Sequence, residues 1–295
     1  MSVQSRFSLP TDLDSSRIAL YTILLAMIAF YLSPLESGLM TAIKTQAGFQ
    51  QTSPFLPPLP GQFTVDPWVQ AFGELQSGLV NSLIFAVPAT ILSALIGSIT
   101  AYGLTNTNWR GQAFVLLLLI AGIFIPYQSV LVPLSRFWSI VDLGSLLSAV
   151  PFLADRAQLI ALTVTHTAYG IPICTLLFRA HYTSIDTSMI EAARLDGATI
   201  ATIYYRIILP LSIPMFAVAL IYQFTNIWND LLFALVLISD NSNDVVTMSL
   251  QKLTGSMVSE YNIQMAGAFI TALPTLLVYV LFGEQFAEGV AGGGA

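Results

Sequence analysis

Charged residues divide this chain into apolar stretches that are long enough to cross a lipid bilayer. Six such stretches lie between Arg17 and Glu36, Glu74 and Arg110, Arg110 and Arg136, Arg156 and Arg179, Arg206 and Asp230, and Glu260 and Glu284. A helix needs about 20 apolar residues to span a bilayer. Only 9% of the 295 residues are charged, whereas a soluble domain carries about 25%. The sequence therefore predicts an all-α membrane protein with six transmembrane helices.

The predicted transmembrane domain covers residues 18–287, between an N-terminal tail (1–17) and a C-terminal tail (288–295). Its spans are predicted at about residues 18–38, 77–104, 111–133, 157–179, 208–238 and 262–284. The first is interpreted as an anchor, because its apolar stretch exceeds the roughly 7–15 residues of a signal peptide. The proline-rich residues 40–76 favour extended or irregular structure. Residues 143–154 are uncharged but too short to cross, so we interpret them as interfacial or re-entrant.

The distribution of basic residues predicts the orientation, because cytoplasmic loops are enriched in Lys and Arg. If both termini lie inside, the cytoplasmic segments hold six basic residues: Arg6, Arg17, Arg110, Arg179, Arg194 and Arg206. The outer segments then hold four: Lys44, Arg136, Arg156 and Lys252. We therefore predict that both termini and the loop at residues 180–207 are cytoplasmic.

Composition also argues against several function classes. Ten basic residues against sixteen acidic ones, without a basic cluster, disfavour nucleic-acid binding. The single cysteine, Cys174, excludes an intrachain disulfide. Neither Lys44 nor Lys252 follows the glycine pattern of a phosphate-binding loop, so the chain is not predicted to hold ATP by that route.

The predicted cytoplasmic loop has the pattern of a helix followed by a turn. Ile185, Met189 and Ala192 are spaced as one apolar stripe on a helix. Ser188 and Glu191 have the spacing of a capping box at a helix start, although a helix that starts near Ser184 would contain both residues instead. Asp196–Gly197 predicts the helix end, because glycine adopts the left-handed conformation without strain.

A second short helix is predicted after this turn. Thr199 is placed to cap it, and Pro210 closes it beyond Ile208. The small residues of the two helices predict a face that a partner protein can approach closely: Ala192, Ala193, Gly197 and Ala198. The alternative is a solvated loop that only connects two spans.

The segment from Glu191 to Pro210, EAARLDGATIATIYYRIILP, resembles the EAA motif of ABC-importer permeases. Every defining position matches: Glu191, Ala192, Ala193, Gly197, Ile207, Leu209 and Pro210. Shorter segments resemble the carbohydrate-uptake (MalG-like) branch: NSL (81–83), AYGL (101–104), IPYQ (125–128), WND (228–230) and AGAFITALP (266–274). The resemblance covers about residues 18–286. It departs at Asp186 and Ser188, where the family usually has proline and often an acidic residue, and in a tail without basic residues.

The resemblance implies a type I importer permease fold in the plasma membrane of a prokaryote. It implies four kinds of contact: a second homologous permease, two copies of an ABC ATPase, an extracytoplasmic solute-binding protein and the bilayer. ATP and Mg²⁺ would lie on the ATPase, and no cofactor is expected on this chain. The residues expected to couple the chain to the ATPase are Glu191, Ala192, Ala193, Asp196, Gly197, Ile207, Leu209 and Pro210.

The fifth predicted span carries candidates for the substrate path. Tyr222, Asn226 and Asn229 share one helical face, and aromatic rings with amides suit a neutral polyhydroxylated solute such as a sugar. Alternatively, these side chains only hydrogen-bond neighbouring helices. His166, without an evident partner, is interpreted as a helix contact, and Asp230 as a structural residue near the outer end of the span.

Other transport and membrane classes remain as alternatives. A secondary transporter would need buried carboxylates in the membrane, for which Asp230 is a candidate. An intramembrane enzyme would need a catalytic partner for His166. A permease for glycerol phosphate would need a basic clamp, which the apolar spans do not supply.

Overall fold

The computed structural model describes residues 15–254 and 260–292, and the side chains of these residues except for 254 and 288–292. All regular elements in this part of the chain are helices. The helices are α1 (Ser15–Ala42), α2 (Gln46–Gln51), α3 (Asp66–Asn106), α4 (Gln112–Ile123), α5 (Tyr127–Val141), α6 (Leu143–Leu146), α7 (Pro151–Ala154), α8 (Ala157–Ser184), α9 (Thr187–Leu195), α10 (Ile200–Ile203), α11 (Leu209–Leu211), α12 (Ile213–Trp228), α13 (Leu232–Leu237), α14 (Val246–Thr254) and α15 (Tyr261–Gly292). A π-helical turn, Tyr204–Ile208, joins α10 to α11, and a 3₁₀ turn, Asn241–Asn243, precedes α14.

Four of these helices are long and apolar enough to cross a membrane: α1, α3, α8 and α15. Two further candidate spans each consist of two helical segments that meet at an angle. The angle is 101° between α4 and the segment α5–α6, and 74° between residues 200–211 and α12. The predicted spans 111–133 and 208–238 are therefore not single straight helices. Pro126 caps α5 and disfavours helix at the residue before it, and Pro214 lies at the start of α12.

The prediction that residues 40–76 are extended or irregular is wrong in part, because this stretch contains α2 and the first turns of α3. Asp66 and Pro67 begin α3 well before the predicted residue 77, and a proline is favoured in a first helical turn. Residues 143–154 form the short helices α6 and α7 rather than one continuous segment.

The described residues form two compact units, one within residues 1–71 and 258–266 and the other within 72–257 and 267–295. In the first unit, Thr45 caps α2 by accepting the Gly48 N–H at 3.1 Å. The buried Lys44 donates from Nζ to the Ser53 carbonyl at 2.8 Å, and its own carbonyl accepts from Asn262 at 3.1 Å. These bonds connect the end of α1 to the start of α15.

In the second unit, α3, α8 and α12 pack through small residues. A Cβ added at Gly97 would lie 2.5 Å from the Cβ of Cys174, and one at Gly170 would overlap Ser93 and Gln223. Close backbone approach at glycine and other small residues is typical of helix contacts in membranes. The buried Cys174 is thus part of a tight crossing between α3 and α8.

Candidate coupling loop and translocation path

The predicted coupling loop, residues 180–207, contains the last residues of α8, which extends to Ser184, and then the helix α9. Asp186 is its N-cap, and its carboxylate accepts the Ser188 N–H at 2.9 Å. This hydrogen bond lowers the pKa of Asp186 below its usual value. Of the two alternatives for Ser188 and Glu191, the structure shows the second: both residues lie inside the helix and do not form a capping box. Aspartate at the position of the family proline supplies the helix start instead.

The turn after α9 has the predicted chemistry. Gly197 has a φ of +82°, which glycine adopts without strain. The Ala198 N–H donates to the Ala193 carbonyl at 2.9 Å and the Gly197 N–H to Arg194 at 3.0 Å, the bonds of a Schellman motif. Thr199 then caps the next helix by accepting the Thr202 N–H at 3.2 Å.

The two faces of α9 differ from the predicted small-residue surface. Ile190 is buried, and Ala193 and Ala198 pack against the same apolar cluster of this chain. Ala192 and Gly197 remain exposed. The predicted face is therefore divided, because successive helical residues turn by about 100° and cannot all point outward.

Several coupling residues line the outward surface of the loop, and the others face the chain. The exposed ones are Glu191, Ala192, Asp196, Gly197 and Pro210, while Ile207 and Leu209 are partly buried against the cluster. The most exposed apolar side chain of the loop is Leu195, at 90%. We did not single out Leu195 from the sequence, although a leucine on the helix face away from Ile190 is itself a signal for a partner.

Hydrogen bonds connect the coupling loop to α3. Arg194 donates from Nη2 to the Asn106 carbonyl at 2.6 Å, and the Tyr102 hydroxyl donates to the Ile200 carbonyl at 3.2 Å. One layer deeper, the Ser98 hydroxyl is 2.6 Å from that of Tyr182 and 2.8 Å from that of Tyr204. These contacts join three elements, α3, α8 and the π-helical turn.

The predicted path residues lie together on the exposed face of α12. Tyr222 is 45% exposed, and Asn226 and Asn229 are exposed beside it. Each amide donates to its own helix, Asn226 to the Tyr222 carbonyl and Asn229 to the Thr225 carbonyl, both at 2.8 Å. A polar face within a span is costly against lipid and therefore faces water or protein.

Aromatic residues that the sequence did not indicate lie close to this face. Tyr127, the first residue of α5, is 38% exposed and stacks on Phe233, with ring centroids 4.8 Å apart. Tyr169 contacts both rings at 5.0 Å. The Phe233 N–H donates to the carboxylate of Asp230, the residue that follows Asn229, at 3.1 Å. The break between α4 and α5 therefore brings an aromatic wall to the candidate path.

His166, interpreted from the sequence as a helix contact, lies against Asp230, a neighbour that the sequence did not indicate. Its Nε2 lies 3.4 Å from Oδ2 of Asp230, and both side chains are buried, at 3% and 7% exposure. The two residues are far apart in the sequence and meet only because α8 packs against the end of α12. Among the described residues, no group of three His, Cys, Asp or Glu side chains is arranged to hold a metal ion.

Several known proteins are similar to this chain in sequence. Residues 93–287 match the family described as binding-protein-dependent transport system inner membrane component. The chain is 46% identical to the xylose/arabinose import permease protein XacI of Haloferax volcanii, covering 96% of this chain and 94% of that protein. It is 42% identical to a probable ABC transporter permease protein of Pyrococcus horikoshii, covering 95% and 98%.

A solved structure shares the fold. The crystal structure of a bacterial ABC transporter involved in the import of the acidic polysaccharide alginate matches with a TM-score of 0.72 at 20% identity, over 94% of this chain and 100% of that chain. The resemblance to ABC-importer permeases is thus confirmed. The chain belongs to the family of binding-protein-dependent inner membrane transport components, and it is a multi-pass permease subunit of an ABC transporter.

Proposed function

We propose that this chain forms half of the translocation path of a sugar importer, driven by ATP hydrolysis on a separate subunit. The complete assembly contains a second homologous permease, two copies of an ABC ATPase and an extracytoplasmic solute-binding protein. The observation that carries the proposal is the coupling loop, which presents an outward surface and is hydrogen-bonded to a transmembrane helix behind it.

The coupling loop docks in a groove of the ATPase through the outward face of α9. Leu195 is the apolar anchor, because it is 90% exposed and its burial removes a large apolar side chain from water. Glu191 pairs with a basic residue of the ATPase, and the exposed Ala192 and Gly197 permit close approach. Ala193, which faces this chain, fixes α9 to its own core instead.

Movement of the ATPase is transmitted to several helices at once. The hydroxyl layer of Ser98, Tyr182 and Tyr204 joins α3, α8 and the turn that leads to α12. Closure of the ATPase dimer therefore moves these helices as one body, which opens the path to the outside.

The solute is a neutral sugar, and a pentose such as xylose or arabinose is the first candidate because of the likeness to XacI. The exposed face of Tyr222, Asn226 and Asn229 offers one aromatic ring and two amides, which hydrogen-bond hydroxyl groups without a net charge. A phosphorylated solute would need basic side chains on this face.

The test is ATP hydrolysis by the complete assembly in lipid nanodiscs. We expect the ATPase to co-purify with the permeases and its rate to rise when the binding protein carries d-xylose or l-arabinose. Stimulation by glycerol 3-phosphate and by neither pentose would refute the sugar assignment. Purification of an active transporter without any nucleotide-hydrolysing subunit would refute the whole proposal in favour of a secondary transporter.

A further inference from the structure

The contact between His166 and Asp230 is a buried pair of ionisable side chains inside the membrane domain. The Asp230 carboxylate lies 3.4 Å from the imidazole Nε2 and also accepts the Phe233 N–H at 3.1 Å. Within the described part of the chain, no lysine or arginine forms an ion pair with this carboxylate. At a distance of 3.4 Å the imidazole Nε2 makes no hydrogen bond, so the carboxylate is the nearest polar partner of a buried nitrogen.

The pair lies where the fifth span is interrupted. α12 ends at Trp228 and α13 begins at Leu232, so Asp230 occupies the break between them. The Asp230 backbone carbonyl accepts a hydrogen bond from the hydroxyl of Thr247 in α14 at 2.9 Å, so α14 is bonded to the chain at this break. His166 projects from α8, the span that leads directly into the coupling loop.

The pair contacts the aromatic wall through one residue, Phe233. The imidazole meets the edge of the Phe233 ring with centroids 5.3 Å apart, and the ring of Phe85 lies on another side at 5.6 Å. Phe233 is fully buried, and it in turn stacks on the half-exposed Tyr127. The position of Tyr127 at the path therefore depends on the position of Phe233.

From this chain of contacts we infer that His166 and Asp230 are positioning residues for sugar transport, a role that rests on the proposed function. They hold Phe233, and through it Tyr127, at the wall of the path near the end of α12. Neither side chain of the pair touches the sugar. Loss of either one removes the contact between them, and because Phe233 touches both residues, Phe233 shifts and the aromatic wall changes shape.

The variants Asp230→Asn and His166→Gln test this role with little change in volume. Asparagine still caps α13, because it accepts a backbone N–H as aspartate does, but it lacks the charge. Trp138→Phe is the matched control, since it deletes a hydrogen bond to α8, from Nε1 to the Thr165 hydroxyl at 2.9 Å, in which neither Phe233 nor Tyr127 takes part. The double variant of the pair reports whether the two residues act as a unit.

Two measurements on the complete assembly decide the matter. The first is nitration of Tyr127 by tetranitromethane, quantified by peptide mass spectrometry against Tyr222 as internal reference. The second is the ratio of d-xylose to l-arabinose transport into proteoliposomes. We expect each pair variant to change both quantities by at least threefold, the double variant to change them no further, and the control to leave both unchanged.

A purely structural pair would give a different result. It would lower the amount of assembled complex and leave the nitration and the sugar ratio of the surviving complex within threefold of the parent, which would overturn the inference. If the parent assembly carries neither pentose, the proposed substrate fails. The nitration of Tyr127 then still decides whether the pair positions the wall.

Discussion

Replacement of Leu195 by alanine isolates the contact between this permease and its ATPase. The side chain is 90% exposed on α9, so its loss changes little within the chain itself. If the ATPase groove buries it fully, the variant removes about three carbon atoms from the interface, at about 0.8 kcal/mol each. The total is about 2 kcal/mol, which corresponds to roughly 30-fold weaker association.

The assay is a titration of the permease pair in nanodiscs with purified ATPase, read as the ATPase concentration that gives half-maximal ATP hydrolysis. Leu146→Ala is the matched control, because Leu146 is 70% exposed on the short helix α6, at the opposite end of α8 from the coupling loop. A shift of less than threefold for Leu195→Ala, or an equal shift for the control, would refute the anchoring role of Leu195.

Further variants test the loop, the helix crossing and the path. Asp186→Ala removes the cap of α9 and is expected to destabilise the loop by about 1 kcal/mol, measured as faster proteolysis there, whereas Asp186→Asn keeps the cap and the parent rate. At Gly197→Ala the added Cβ meets no atom within 4 Å, but the φ of +82° is strained, so the variant is expected to lower the melting temperature slightly. At Gly170→Ala the added Cβ overlaps side chains of two other helices, so folded protein is not expected to be recovered. Equal yields of the two variants would contradict this packing. Asn226→Leu is expected to lower sugar transport while the ATPase still co-purifies, and unchanged transport would remove Asn226 from the path.

The turn of the coupling loop is predictable from sequence because its chemistry is local. Gly197 and Thr199 determine the backbone within a few residues, and no distant contact is needed to recognise them. The choice of N-cap is less certain, since Asp186 and Ser188 are both good caps and only the start of the helix distinguishes them. The orientation of α9 depends on what packs behind it, so the inward position of Ala193 could not be read from the motif.

The features missed from the sequence all involve contacts between distant segments. The pair of His166 and Asp230 forms only when α8 meets the end of α12, and periodicity within either helix carries no information about the other. Tyr127 reaches the path because α4 and α5 are bent by 101°. Pro126 marks a break in the helix, but a proline alone does not give the direction in which the chain continues.

Two features determine how the chain can move: the breaks in the fifth span and the layer of hydrogen-bonded hydroxyl groups behind the coupling loop. Ser98, Tyr182 and Tyr204 join α3, α8 and the π-helical turn through bonds of 2.6 and 2.8 Å. The fifth span is interrupted on either side of α12, at Ser212 and again at residues 229–231. Interrupted helices can change direction at a few residues, whereas packed helices move as bodies. We therefore expect movement of the coupling loop to reach α3 and α8 through these bonds, and α12, which carries Tyr222 and Asn226, to change its angle at the two breaks.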